Sequence, residues 1–418
     1  MDIKKMVEDL AAICRQDKEF LQRSRFFDGN ARISIGSEGF LLRFSGGSFL
    51  GIFPDADPAL HWDYEIFGPE SDWARLWSGE MDIMQAMVPV YTSIGVRGDR
   101  VKFMGDLMTI AHLTRLLPRA AANQGVEPKA RPTPPPGGAD PWQTKHEVIG
   151  RYVKVNGART YYETIGVKGK ATFIGIHTAG REGRQWQQIA DAIGDVGEFL
   201  AFDFPGHGKS WPMPGGTCLA STDEMASFVW AFRNAVGVAG PTVVLGCSIG
   251  GNLVFQVAEE HPEEVAALVS FQGADYTPSP PPAALALLDH PRINPAHSQG
   301  EQSFALMGKR TPAPQQEYMD WDIRCLKSAL IKYDLTAYSR FDFRSRMAGI
   351  RCPALLIRGL DDYIVDAAMV KGTAARLTNA RVVEVVMPEG VGHFSHMEQP
   401  VEHGRLVLDF LKRHGITA

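Results

Sequence analysis

Six short apolar runs constrain this chain more than any other feature. They are "TFIGIH" (172–177), "FLAFDF" (199–204), "TVVLGC" (242–247), "VAALVSF" (265–271), "ALLIRG" (354–359) and "VVEVVM" (382–387). A strand with one wet face alternates apolar and polar residues, whereas a near-continuous apolar strand is covered on both faces. Helical stretches separate most of the six, so the pattern predicts an α/β domain built on a parallel sheet. A hairpin precedes them, with "YVKV" and "ARTYYE" flanking Asn156-Gly157, a dipeptide favoured in two-residue hairpin turns. Between the fourth and fifth runs the alternation stops over residues 275–350, which include "FALMGKR" and "QQEYMDWDIRCLKSALIKYDL". A structureless loop of that length is uncommon in a compact domain, so the segment reads as an inserted helical cap over one end of the sheet.

The chain has 418 residues, more than a single core usually holds, which predicts two domains. The boundary is written in "GVEPKARPTPPPGGADPWQ" (125–143), whose prolines enter neither a helix interior nor a central strand. The expected division is a first domain over 1–124, a proline-rich spacer over 125–146 and the α/β domain over 147–418. Before the spacer, Met6, Leu10, Ile13 and Cys14 have helical spacing, and "GFLLRFSGGSFLGIF" reads as two strands around Ser45–Ser48. "LHWDYEIF" reads as a further strand, "GPESDWARLWSG" as a short helix, and "DLMTIAHLTRLL" as an amphipathic helix burying Leu107, Ile110, Leu113 and Leu117. The first domain is therefore expected to be a small α+β unit.

A formal charge of -5 supplies no electrostatic reason for a nucleic-acid partner. The five cysteines are scattered and never form C-x-x-C, which argues against a disulfide framework or a cysteine zinc site and fits a reducing compartment. No histidine pair has H-E-x-x-H spacing, so neither a metal nor another cofactor is expected. The first twenty residues are charged throughout, and no apolar run is long enough to span a bilayer. The chain reads as cytoplasmic, without a transmembrane segment.

The third apolar run leads into Gly246-Cys247-Ser248-Ile249-Gly250, a G-x-S-x-G at the junction of a strand and a helical stretch. That context is the nucleophile elbow, a sharp turn that lifts a serine hydroxyl above the strand ends. The competing reading is a strand-ending turn with a serine that caps the next helix. A serine hydroxyl needs a base, itself oriented by a third group, and in this arrangement the acid and then the histidine follow along the chain. "RGLDDYIV" offers Asp361 and Asp362; "GHFSHMEQP" offers His393 and His396. The backbone N–H of Ile249, next after the serine, is one expected oxyanion donor.

With "FDFPGHGKS" (202–210), these stretches are similar to the α/β-hydrolase superfamily, in the lineage of capped esterases, lactonases and carbon–carbon bond hydrolases, over residues 150–414. The resemblance implies an α/β-hydrolase sheet with a helical cap. It selects Asp362, three residues after Gly359, as the acid, and His393, directly after Gly392, as the base. Related hydrolases carry His-Gly after the first of the apolar runs, whereas this chain has His177-Thr178-Ala179-Gly180. By position the second oxyanion donor is the N–H of Ala179, with Thr178 as the alternative and its hydroxyl as a further aid. His207 is read as bracing its turn, and His396 as packing beside a helix start.

Residues 1–120 resemble the sterol-carrier-protein type 2 lipid-binding fold, through "WDYEIFGPESDWARLWSG" and "GVRGDRVKFMGDLMTIAHLTRLL". This resemblance implies a lipid ligand held in an apolar cavity between sheet and helices. Met81, Met84, Met87, Phe103, Met104 and Met108 suit an adaptable pocket, ordinary core filling or a contact between copies in a homo-oligomer equally well. The expected activity is hydrolysis of an ester, lactone or thioester of a small hydrophobic substrate through an acyl-enzyme. Phe304, Met307, Tyr318 and Trp321 of the cap, with Thr178, are the expected substrate contacts. The alternatives are a carbon–carbon bond hydrolase using the same triad, or a lipid-binding protein with a vestigial hydrolase domain.

Overall fold

A computed structural model describes residues 2–55, 61–88, 91–129, 140–278, 285–288, 290–325 and 328–417. Residues 130–139 of the expected spacer, and 279–284, 289 and 326–327 of the expected cap, lie outside the described residues. The chain divides into two compact units, Met1–Arg131 with His290–Ala305, and Pro132–Asp289 with Leu306–Ala418.

The first unit holds a five-stranded sheet of β1 (Gly29–Ile35), β2 (Glu38–Ser45), β3 (Ser48–Pro54), β4 (Tyr64–Gly68) and β5 (Gly95–Gly98), in the order β3-β2-β1-β4-β5. β1 and β4 run parallel and the other neighbours antiparallel. The β2–β3 turn places Gly46 and Gly47 at φ 54° and 79°, which glycine adopts without a Cβ penalty. Asp2 caps helix Ile3–Gln16 by accepting the Lys5 N–H, and that helix buries Met6, Val7, Leu10, Ala11 and Cys14. Helix Leu107–Ala122 buries Leu107, Ile110, Leu113 and Leu117 in the same core.

Met81, Met84, Met87 and Met104 pack against that core as partly buried side chains, which is the geometry of filling. A cavity of about 20 Å³ lies among Val7, Leu10, Ile33, Phe40, Trp73 and Leu117. That is room for little more than one water molecule, so an acyl chain would enter there only if helices and sheet moved apart. Helix Pro295–Ala305, drawn from the stretch read as cap, completes the unit. Glu301, almost fully buried, pairs with Arg23 and with Arg115 (2.7 Å), and Gln85 Nε2 donates to the Ala305 carbonyl at 3.0 Å.

The second unit holds eight strands: β6 (Val148–Val155), β7 (Ala158–Gly166), β8 (Ala171–Ile176), β9 (Gly197–Phe202), β10 (Thr242–Cys247), β11 (Val265–Phe271), β12 (Ala354–Ile357) and β13 (Val383–Val386). Their order is β13-β12-β11-β10-β8-β9-β7-β6. The six strands from β8 onward pair in parallel; β7 pairs antiparallel with both β6 and β9. Every residue of β10 and β12 is buried, and one apolar core lies on each face of the sheet. β10 sits between β8 and β11, so the end of β10 opens beside the loop that follows β8.

Candidate functional site

Ser248 occupies the single residue between β10 and helix Ile249–Glu260, at φ 57° and ψ −120°. A positive φ on a non-glycine residue costs about 1–3 kcal/mol and persists only where its surroundings enforce it. Here the Ser248 N–H donates to the Phe271 carbonyl at 3.0 Å, which pins the turn to β11. The serine side chain makes no capping bond to the helix, so the structure disfavours the capping reading of this turn. The glycines permit the close approach: a Cβ on Gly246 would lie 2.0 Å from the Gly250 carbonyl oxygen, and one on Gly250 would lie 2.3 Å from that of Ile176. That second contact sets the helix start, with the Ile249 N–H, beside the end of β8.

The loop after β12 buries Asp362 completely. Its Oδ1 accepts the N–H groups of Ile364 and Val365 at 2.7 and 3.2 Å, and its Oδ2 meets His393 Nδ1 at 2.9 Å. An ionised carboxylate only accepts, so Nδ1 carries a proton and a neutral His393 has its lone pair on Nε2. Asp361 is engaged elsewhere, accepting the Lys309 N–H at 2.9 Å. His396 is also apart from this pair, packed against Trp186 and Phe271 with ring centroids 4.5 and 5.9 Å away. Burial pushes the His396 imidazole well below its ordinary value.

Two side chains without an assigned role in the sequence reading hold the His393 loop. Glu398 Oε2 accepts from Gly308 N, Thr311 Oγ1 and Gly392 N at 2.9, 2.9 and 2.8 Å, and its Oε1 accepts from Phe394 N at 3.0 Å. One carboxylate thereby fixes the N–H on each side of His393. Burial raises the Glu398 carboxyl above its usual range against the pull of those four donors. Gln272, at φ 45°, donates from Nε2 to the Gly392 carbonyl at 3.2 Å and accepts from Ser395 Oγ at 3.1 Å. The His393 N–H itself donates to the Leu306 carbonyl at 2.9 Å.

The loop after β8 is fixed just as closely. His177 accepts the Phe204 N–H at Nε2 (3.1 Å), so its proton is on Nδ1, which faces the Thr178 carbonyl at 2.9 Å. Burial, aided by the neighbouring His207, lowers its pKa to about 3. The Thr178 hydroxyl donates to Gln185 Oε1 at 3.1 Å. Ala179 is half-buried, with its side chain against the core.

The expected substrate contacts are placed unequally. Met307 is buried in the segment against which the His393 loop packs: a Cβ on Gly392 would lie 2.0 Å from the Leu306 carbonyl oxygen and 2.8 Å from the Met307 carbonyl carbon. Tyr318 is buried and Trp321 is 40% exposed; both rings meet Trp142, at 5.5 and 5.6 Å, and the Arg184 guanidinium covers Trp321 at 4.3 Å. Phe304 belongs instead to the first unit, where the Arg115 guanidinium lies 4.3 Å from its ring. The helix carrying it packs on helix Leu107–Ala122 of the same unit.

Residues 172–313 match the family model described as alpha/beta hydrolase fold. Over 272 residues the chain is 26% identical to the pimeloyl-[acyl-carrier protein] methyl ester esterase of Yersinia pseudotuberculosis, a match covering 61% of this chain and 98% of that protein. It is 37% identical over 122 residues to the dihydrolipoyllysine-residue acetyltransferase component of the acetoin cleaving system of Cupriavidus necator, covering 29% of this chain and only 31% of that relative. Among solved structures, the enol-lactonase from Burkholderia xenovorans LB400 shares the fold with a TM-score of 0.54 and 20% identity, over 63% of this chain and all of that one. The larger unit has the alpha/beta hydrolase fold, and the chain is a hydrolase enzyme. Among the described residues no helix is long and apolar enough to cross a membrane.

Proposed function

We propose that the enzyme cleaves a carboxylic ester of a hydrophobic substrate through a serine-bound acyl intermediate. The observation that carries this reading is the strained Ser248 turn in the same unit as a buried His393–Asp362 pair. Ser248 Oγ attacks the carbonyl carbon while His393 Nε2 takes its proton. Asp362 keeps the imidazole in the required tautomer and stabilises its positive form. The N–H groups of Ile249 and Ala179 receive the oxyanion, each worth about 100- to 1,000-fold in rate. Collapse of the tetrahedral adduct breaks the ester C–O bond, and the alkoxide leaves with the proton held by His393. Water, deprotonated by the same nitrogen, attacks the acyl carbon; collapse releases the acid and returns the proton to Ser248. Residues 1–124 are proposed to form a sterol-carrier-like domain that takes no chemical step.

The relatives named as a methyl ester esterase and an enol-lactonase support ester and lactone chemistry. Stopped-flow hydrolysis of p-nitrophenyl acetate, butyrate and octanoate tests the reading. A burst of nitrophenol equal to the enzyme concentration is expected wherever deacylation is slow. Ser248→Ala is expected to abolish the burst and lower turnover by about 10⁴- to 10⁶-fold. Unchanged turnover in that variant would overturn the reading.

A further inference from the structure

Asp334 lies on helix Ser328–Tyr338 of the insertion, within the second unit, and is only 2% exposed. Its Oδ2 accepts the N–H of Gly180 at 2.6 Å and meets His207 Nε2 at 3.0 Å. His207, equally buried, turns Nδ1 toward the Pro205 carbonyl at 3.2 Å. A carboxylate and a carbonyl only accept, so both ring nitrogens carry protons and His207 is an imidazolium. Burial opposes that charge, and the Asp334 carboxylate outweighs it, leaving the imidazole raised and the carboxyl lowered. In the sequence His207 shows no more than a turn to brace, because its partner lies 127 residues away.

A second observation ties the same helix to the same loop. Gly180 stands at φ 67°, and a Cβ on it would lie 2.2 Å from Ile331 Cγ1, one turn before Asp334. The loop is therefore pressed against the helix by shape as well as held by charge. Gly180 directly follows Ala179, so the bond at its N–H fixes the peptide plane joining the two residues and restricts how the preceding Ala179 N–H is aimed.

We propose that Asp334 is a positioning residue for the oxyanion loop, holding Gly180 N–H so that Ala179 N–H points at the developing charge, with His207 as its built-in counter-charge. The inference rests on the serine-hydrolase reading above. It makes the inserted helix part of the catalytic geometry: a change that moves this helix changes kcat, not only substrate choice.

The test compares Asp334→Ala, Asp334→Asn and the double variant Asp334→Leu/His207→Phe, using p-nitrophenyl butyrate and a boronic-acid transition-state analogue. A misdirected donor costs about 10- to 100-fold. Asp334→Ala is expected to lose that factor in kcat and in boronate affinity, with KM within about threefold because ground-state binding is untouched. Asparagine can set its oxygen where Oδ2 lies and accept the Gly180 N–H, so Asp334→Asn is expected to recover most of kcat. The double variant removes the acceptor while replacing the buried pair by apolar groups, a change that often leaves stability intact. If Asp334→Ala does not fold, the double variant decides: folded protein with lowered kcat supports the proposal, and folded protein with wild-type kcat and boronate affinity overturns it. A KM rise at constant kcat would likewise overturn it. Fluorophosphonate labelling of wild-type Ser248 separates the two readings. Without labelling the serine mechanism itself fails; with labelling and an indifferent Asp334, this proposal alone fails.

Discussion

Replacing Asp362 by asparagine has an outcome that the geometry works out in advance. The Ile364 and Val365 N–H groups point at Oδ1 from 2.7 and 3.2 Å, and His393 Nδ1 faces Oδ2 at 2.9 Å. An asparagine has one accepting end and one donating end. Turning the NH₂ toward the two backbone donors would leave buried groups unsatisfied, at about 1–3 kcal/mol each. The amide therefore keeps its oxygen on the backbone and points NH₂ at the histidine. Nδ1 must then accept, so the imidazole proton moves to Nε2 and the nitrogen proposed as the base can no longer take a proton. A triad with the wrong tautomer loses about 10⁴-fold in kcat, equivalent to about 5.4 kcal/mol of transition-state stabilisation. Since the loop keeps its backbone bonds, KM and the melting temperature are expected to stay near wild type. Steady-state hydrolysis of p-nitrophenyl butyrate, with thermal melts by circular dichroism, measures all three. Asp361→Asn serves as the comparison and keeps most activity, because its oxygen can still accept the Lys309 N–H. If Asp362→Asn retained kcat within about tenfold, orientation of the base by this carboxylate would be refuted.

Glu398→Gln puts an amide NH₂ against one of four converging donors, at a cost of about 1–3 kcal/mol; a lower melting temperature and lower kcat are expected, and an unchanged pair of values would remove the clamp assigned to it. His177 is held neutral down to a pKa of about 3, so between there and its ordinary 6.5 only the unfolded chain binds the proton. Its share of stability is therefore complete above pH 6.5 and is lost as pH falls toward 3, with a slope of up to about 1.4 kcal/mol per pH unit. Urea unfolding at successive pH values should show a shallower acid decline in His177→Gln, and equal slopes would contradict this. In the first unit, Glu301→Ala leaves Arg23 and Arg115 without a shared buried partner, a loss of about 3 kcal/mol at the low end for such pairs because Arg115 keeps Asp82. Limited proteolysis should cut residues 290–305 faster in that variant, and equal protection would show that the pair does not hold the helix.

The parallel strands β8 to β12 were legible because burial on both faces leaves a one-dimensional trace, a run with no polar alternation; β13 reads alike although it lies at the sheet edge with Val385 39% exposed. The Asn156-Gly157 turn was legible for a local reason, since φ of 47° and 88° suits those two residues. β1 leaves a weaker trace: Ala31, Ile33 and Ile35 alternate with half-buried neighbours, but "NARISI" is short and interrupted by an arginine. Ser248 stands out because its glycine neighbours are a sequence-local requirement of the turn. Glu398, Gln272 and Asp334 do not, because what each does depends on partners distant in sequence: Gly308 lies 90 residues from Glu398, Gly392 lies 120 from Gln272, and Gly180 lies 154 from Asp334. An apolar residue in an insertion after a parallel strand carries no local mark of the unit its helix joins, and Phe304 falls in the first.

The central claim is that Ser248 is the nucleophile and His393 its base, and covalent capture tests it most directly. The enzyme would be treated with an alkyl fluorophosphonate, digested, and mapped by mass spectrometry. The account predicts one phosphonyl adduct, on Ser248, absent in Ser248→Ala and formed far more slowly in His393→Ala. An adduct on another residue, or none on folded protein that still hydrolyses p-nitrophenyl esters, would contradict it.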